Sequence, residues 1–93
     1  MIKSFKNKET AKIFKGQHSN RFPSEIQARA LRKLILLNQA TTLHHLKSLP
    51  ANRLEYLTGN RQGQNSIRIN KQWRICFHWE SDGAYNVEII DYH

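Results

Sequence analysis

Asp91-Tyr92-His93 brings a carboxylate, a phenol and an imidazole into three consecutive positions. Arg68 and Arg74 precede this run on two stretches of alternating polarity, residues 66–70 and 73–80. Cutting RNA without a metal needs such a set. A base takes the 2′-hydroxyl proton, an acid protonates the departing 5′-oxygen, and cations stabilise the extra charge on the phosphorane-like transition state. Arginine suits the last role because its planar fork meets phosphate through two parallel hydrogen bonds.

Other chemistries find no footing. His18, His44, His45, His78 and His93 show no zinc-ligand spacing, and Cys76 has no CxxC partner, so neither a metal nor a cofactor is expected. On a helix His44 and His45 point about 100° apart and chelate poorly together. The stretch 59–63 is not a phosphate-binding glycine loop, and no Ser/His/Asp arrangement is legible.

The elements that must position the arginines and the tail follow from hydrophobic period. Residues 1–5 read as an edge strand, 9–15 as a short helix closed by Gly16, and 17–22 as a polar, basic loop. Ser24 and Gln27 have capping-box spacing and open a long helix. Ile26, Ala30, Leu31, Leu34, Ile35 and Leu37 form its apolar stripe, with Arg29, Arg32 and Lys33 on the solvent side. Residues 38–42 interrupt it, Thr42 starts a second helical piece, and Pro50 ends that piece.

The period then changes to two. Strands are predicted at 54–57, 66–70, 73–80 and 85–92, joined by a polar loop at 58–64 and turns at 71–72 and 81–84. Strands so closely spaced pair antiparallel as a meander. Trp73, Ile75, Phe77 and Trp79 share the face under the helices. Arg74, Cys76 and His78 share the other, which is left for function together with Arg68. Alternation puts Asp91 and His93 on one face and Tyr92 on the opposite one. The expected architecture is one α+β domain over residues 1–93, with N-terminal helices on one face of a mainly antiparallel sheet of about four to five strands.

Charge narrows the partners. Fifteen Lys and Arg against seven Asp and Glu give a formal +8, an excess that a polyanion relieves. No apolar run is long enough to span a bilayer. The opening MIKSFKNKETAK has no apolar core of a secretory signal, and a single cysteine cannot form an internal disulfide, so a cytoplasmic protein without a membrane partner is expected.

The segments SIRINKQWRICF (66–77) and NVEIIDYH (86–93), with MIKSF at the start and NRLE at 52–55, resemble the HigB toxin family, its GraT-type branch in particular, within the RelE/ParE superfamily of toxin–antitoxin systems. The resemblance covers essentially the whole chain. It implies a RelE-like fold and a ribosome-dependent mRNA endonuclease that cuts the A-site codon and inhibits translation. It implies a HigA-like antitoxin as partner, and operator DNA only indirectly, through that antitoxin. Carried onto matching positions, the family's catalytic residues fall on Asp91, Tyr92, His93 and Arg74, with Arg68 or Asn70 at the place of a second arginine. Two positions where some members carry a His and a Lys are Glu55 and Thr58 here. Glu55 is then a candidate base, and a weaker toxin is expected. Arg53, Arg61, Asn70 and Lys71 are expected to bind nucleic acid, and the lysines and arginines of the first half to widen that footprint over ribosomal RNA. Two other functions remain open at this point: a ParE-like, non-enzymatic gyrase poison, and a basic nucleic-acid-binding module without activity.

Overall fold

A computed structural model of the chain describes residues 1–92. His93, the last of the predicted acid–base run, lies outside the described residues. Three helices come first: α1 (Lys8–Phe14), α2 (Ser24–Gln39) and α3 (Leu43–Lys47). Four strands follow: β1 (Glu55–Tyr56), β2 (Asn65–Arg68), β3 (Trp73–Glu80) and β4 (Gly83–Asp91). They form one antiparallel meander in the order β1-β2-β3-β4.

The predicted N-terminal edge strand reduces to two isolated parallel bridges to β4, Ile2 with Ala84 and Phe5 with Val87. Gly83 permits this approach: its φ is +147°, and a Cβ there would collide with the Met1 carbonyl oxygen.

The helix layer rests on one apolar face of the sheet. Ile13 of α1, Ile26, Ala30, Leu34 and Leu37 of α2, and Leu46 of α3 are buried with Ile67, Ile75, Phe77, Val87 and Ile89. Trp73 and Trp79 flank that core as expected, half-buried; Trp73 meets the Phe22 ring edge-on at 5.9 Å. Ile35 departs from the predicted stripe and is 41% exposed. It stands one residue beyond Leu34, which turns it about 100° off the buried row.

The expected capping box does not form. Ser24 is already the first helical residue, and Pro23 precedes it without a side-chain cap. Gln27 works backwards instead. Its Nε2 donates to the carbonyls of Ser19 (2.7 Å) and Phe22 (2.9 Å), and its Oε1 accepts from the Ser19 N–H (3.2 Å), which ties down the basic loop. Side-chain caps occur elsewhere: Asn7 accepts from the Thr10 N–H at the start of α1, and Thr42 from the His45 N–H at the start of α3.

The second face of the sheet, expected to be open, is half closed. Ser66, Arg74, Cys76 and Glu88 are all buried there. The loop between β1 and β2 carries Arg61 to Glu88, and the N-terminal segment brings Lys6 to the same carboxylate.

Burial pushes the Cys76 thiol up from an ordinary 9.0 to about 11. Native protein at pH 8 is therefore expected to resist thiol alkylation that goes to completion in denaturant; equal rates in both would contradict the buried placement. Because the folded state holds the proton more tightly than the unfolded chain, this group's stabilisation is complete below about pH 9 and is lost as pH rises towards about 11.

Candidate active site

Arg74 is the organising residue. It is 5% exposed in the middle of the sheet. Its Nε donates to Ser66 Oγ at 2.7 Å, and its Nη2 donates to the carbonyls of Ser66 (3.2 Å) and Arg53. Its Nη1 makes no hydrogen bond among the described residues and stands 3.9 Å from Glu55 Oε1. Its Cζ lies 5.7 Å from the centre of the Tyr92 ring. Strand pairing explains this convergence. Glu55 sits opposite Ser66, Ser66 opposite Cys76, and Arg68 opposite Arg74. Paired residues point to the same side, so Glu55, Ser66, Arg68, Arg74 and Cys76 share one face. Arg53 has a left-handed φ of +43° where the 3-10 turn Pro50–Asn52 ends, and this aims its carbonyl at the guanidinium.

Beside this arginine is a cleft of about 290 Å³, lined by Glu55, Tyr56, Leu57, Thr58, Asn60, Arg61 and Tyr92. One edge strand, the loop after it and the end of β4 make its walls. Two predicted residues, Glu55 and Tyr92, thus meet Arg74 at one place, and Arg61 joins them from the loop. A carboxylate, a phenol ring and guanidinium groups around a nucleotide-sized hollow can bind a phosphodiester and move its protons.

The other candidates go elsewhere. Asp91 pairs with Trp73 and so faces the helix side of the sheet, where its Oδ2 accepts from Gln72 Nε2 at 3.1 Å. Tyr92 continues the pairing through its N–H to the Gln72 carbonyl. The predicted separation of Asp91 from Tyr92 therefore holds, and it takes Asp91 off the face of Arg74. Arg68, half-buried, lines a separate basic groove at the base of β2 with Arg53, Asn70 and Lys71. Asn70 shapes the β2–β3 turn, its Oδ1 accepting from the N–H groups of Gln72 (2.8 Å) and Trp73 (2.7 Å). Among the described residues no three His, Cys, Asp or Glu side chains cluster as metal ligands do. A larger hollow of about 650 Å³ at the far end of the sheet, beside His78, Glu80 and Tyr85, contains none of the candidates.

Glu88 is a site residue that sequence reasoning missed. It is 8% exposed, opposite Cys76, and pairs with Arg61 (3.3 Å) and Lys6 (3.4 Å). Alternation with Val87 and Ile89 puts Glu88 on the face expected to be open, where a charge is unremarkable, so the sequence carried no signal of its burial. Glu88→Gln is expected to loosen the Arg61 loop, raising KM several-fold with a smaller change in kcat, at a stability cost of about 1 kcal/mol because Arg61 is one-third exposed. Faster amide exchange over residues 59–64 would accompany it; unchanged exchange and KM would show that the ion pair does not hold the cleft wall.

Helices on one face of a four-stranded antiparallel meander are consistent with a RelE-like fold. Residues 3–93 match the model of the HigB-like toxin family, described as RelE-like toxins of type II toxin–antitoxin system HigB. The chain is 38% identical over 87 residues to Toxin HigB-1 of Vibrio cholerae serotype O1, covering 92% of each protein. It is 32% identical over 93 residues to Endoribonuclease HigB of Proteus vulgaris, covering the full length of both. The chain belongs to the HigB family of RelE-like toxins, and a toxin of a type II system has a cognate antitoxin as partner. No helix among the described residues is long and apolar enough to cross a membrane.

Proposed function

We propose that this toxin is an endoribonuclease that enters the ribosomal A site and cuts the mRNA there, using its own side chains for acid–base chemistry. The observation that carries the reading is the Arg74 guanidinium, held by three hydrogen bonds with its Nη1 turned towards Glu55 at the cleft. Arg74 stabilises the charge that develops on the scissile phosphate. Glu55 takes the 2′-hydroxyl proton, and His93 returns one to the 5′-oxygen. Tyr92 stacks on or orients the nucleotide, and Arg61 holds a neighbouring phosphate. Asp91 acts from the end of the sheet, in contact with Gln72, by positioning the tail. A glutamate in place of a histidine base, and Thr58 in place of a lysine, makes this member slower than one carrying both. Its antitoxin is HigA-like, and operator DNA is reached only through that protein.

Primer extension on a reporter mRNA in a purified translation system tests the reading. Discrete cuts at A-site codons are expected from the wild type only when ribosomes are present. Folded protein that gives no cuts removes the endonuclease reading, and inhibition of gyrase by the same protein would replace it.

A further inference from the structure

Asn52 is a polar residue that the fold encloses completely, and it lines neither the cleft nor the basic groove. Its side chain is gripped at both ends. Oδ1 accepts from Lys33 Nζ of α2 at 2.7 Å, and Nδ2 donates to the Leu46 carbonyl of α3 at 3.0 Å. Its own N–H donates to the Leu49 carbonyl at 3.0 Å, where the 3-10 turn Pro50–Asn52 begins. Two helices thus hold the last residue of that turn in one place. Burial first, then the charge of Arg29, keeps the Lys33 ammonium below its ordinary pKa, so this donor is held here against a penalty.

What the turn delivers is the next residue. Arg53 has φ +43° and ψ +54°, left-handed values that a residue with a side chain keeps only where its surroundings impose them. That conformation turns the Arg53 carbonyl towards Arg74 Nη2. The other two acceptors of Arg74, Ser66 Oγ and the Ser66 carbonyl, both belong to the neighbouring strand. Among the described residues, the Arg53 carbonyl is therefore the one anchor that reaches the guanidinium from outside the sheet. It occupies Nη2 and leaves Nη1 directed at Glu55 and the cleft. If the turn relaxed, Nη2 would lose this anchor and the fork would be free to swing.

We propose that Asn52, held by Lys33, is a positioning residue for cleavage: it fixes the Arg53 carbonyl, and through it the direction in which Arg74 presents Nη1 to the scissile phosphate. The proposal rests on the reading that Arg74 stabilises that phosphate, and it adds a support running from the helix layer to the site. Misplacing such a group by about 1 Å can cost on the order of 100-fold in rate.

The test is a double-mutant cycle on the full-length protein, with Asn52→Ala, Arg74→Ala and the two combined. Single-turnover cleavage of ribosome-bound message, with toxin in excess, gives a maximal rate and a half-saturating concentration for the folded fraction. Asn52→Ala is expected to lower the maximal rate about 10–100-fold and to change the half-saturating concentration by less than about twofold, because Asn52 lines no surface that meets RNA. In the Arg74→Ala background the same change is expected to slow cleavage by less than about twofold, since the group it aims is gone. Proton–nitrogen NMR of Arg74 supplies a readout that needs no activity: its Nη hydrogens give separate signals while the fork is locked, and these are expected to merge in Asn52→Ala.

Cleavage at the wild-type maximal rate by folded Asn52→Ala, an equal loss in both backgrounds, or separate Arg74 signals that persist in Asn52→Ala would each overturn the proposal. Should Asn52→Ala fail to fold, Lys33→Met takes its place in the cycle, removing the donor to Asn52 at a half-buried position. The groove charge that it also removes acts on the half-saturating concentration in both backgrounds, whereas a lower maximal rate is expected only where Arg74 is present; an unchanged maximal rate overturns the proposal. Arg74→Ala cutting at the wild-type rate would remove the reading beneath the proposal, while slow Arg74→Ala beside full-speed Asn52→Ala removes the proposal alone.

Discussion

Arg74→Ala is expected to slow single-turnover cleavage by about 10²–10³-fold and to destabilise the fold by about 2–4 kcal/mol. Both effects have the same origin. The guanidinium is 5% exposed and satisfies Ser66 Oγ, the Ser66 carbonyl and the Arg53 carbonyl at once. Truncation leaves those acceptors buried without a donor and Glu55 without its neighbouring cation. Arg74→Lys keeps the charge, but one ammonium cannot reproduce the three-way fork and also face the cleft. It should fall between wild type and alanine in both measurements. Chemical denaturation gives the stability, and cleavage by the folded fraction gives the rate. If the alanine variant is less stable but cuts normally once folded, Arg74 is a strut and the proposed chemistry loses its centre.

Deleting Tyr92 and His93 should have the opposite balance. Loss of acid–base groups costs about 10²–10⁴-fold in cleavage, whereas stability should fall by only about 1 kcal/mol. Among the described residues Tyr92 is held lightly. Its N–H donates to the Gln72 carbonyl and its ring lies beside Arg74, yet the residue is 38% exposed. Tyr92→Phe separates the roles of that residue. It keeps the ring and should retain most activity if the ring stacks or orients, and should lose as much as the deletion if the phenol moves a proton. A truncated protein that still cuts at the wild-type rate would move the chemistry away from the tail altogether.

Much of the frame was legible because it is written in local periods. Residues 73–80 alternate without a break, and β3 spans Trp73–Glu80 as expected. The helix of residues 24–39 was legible from its stripe, but its start was not, because the Ser24–Gln27 spacing that suggests a capping box serves equally well for a glutamine that reaches back to Ser19 and Phe22. The same limit applies at the site. Arg74 and Tyr92 were legible as candidates from the strand and the tail that carry them. The half-closed state of their face was not, since it depends on Glu88 meeting Arg61 from 27 residues away and Lys6 from the other end of the chain.

By itself the sequence determined the helices, the antiparallel meander of the second half, the helix-covered face and the excess of positive charge, because each is set by residue period, short connections or composition. Only the tertiary structure decided what those residues do together. Strand register brought Glu55, Arg74 and Tyr92 to one cleft and turned Asp91 away. The packing of α2 against the sheet brought Arg29, Arg32 and Lys33 beside Arg53, Arg68 and Lys71. Long-range ion pairs and grooves depend on where distant segments are held in space, and no local pattern encodes that.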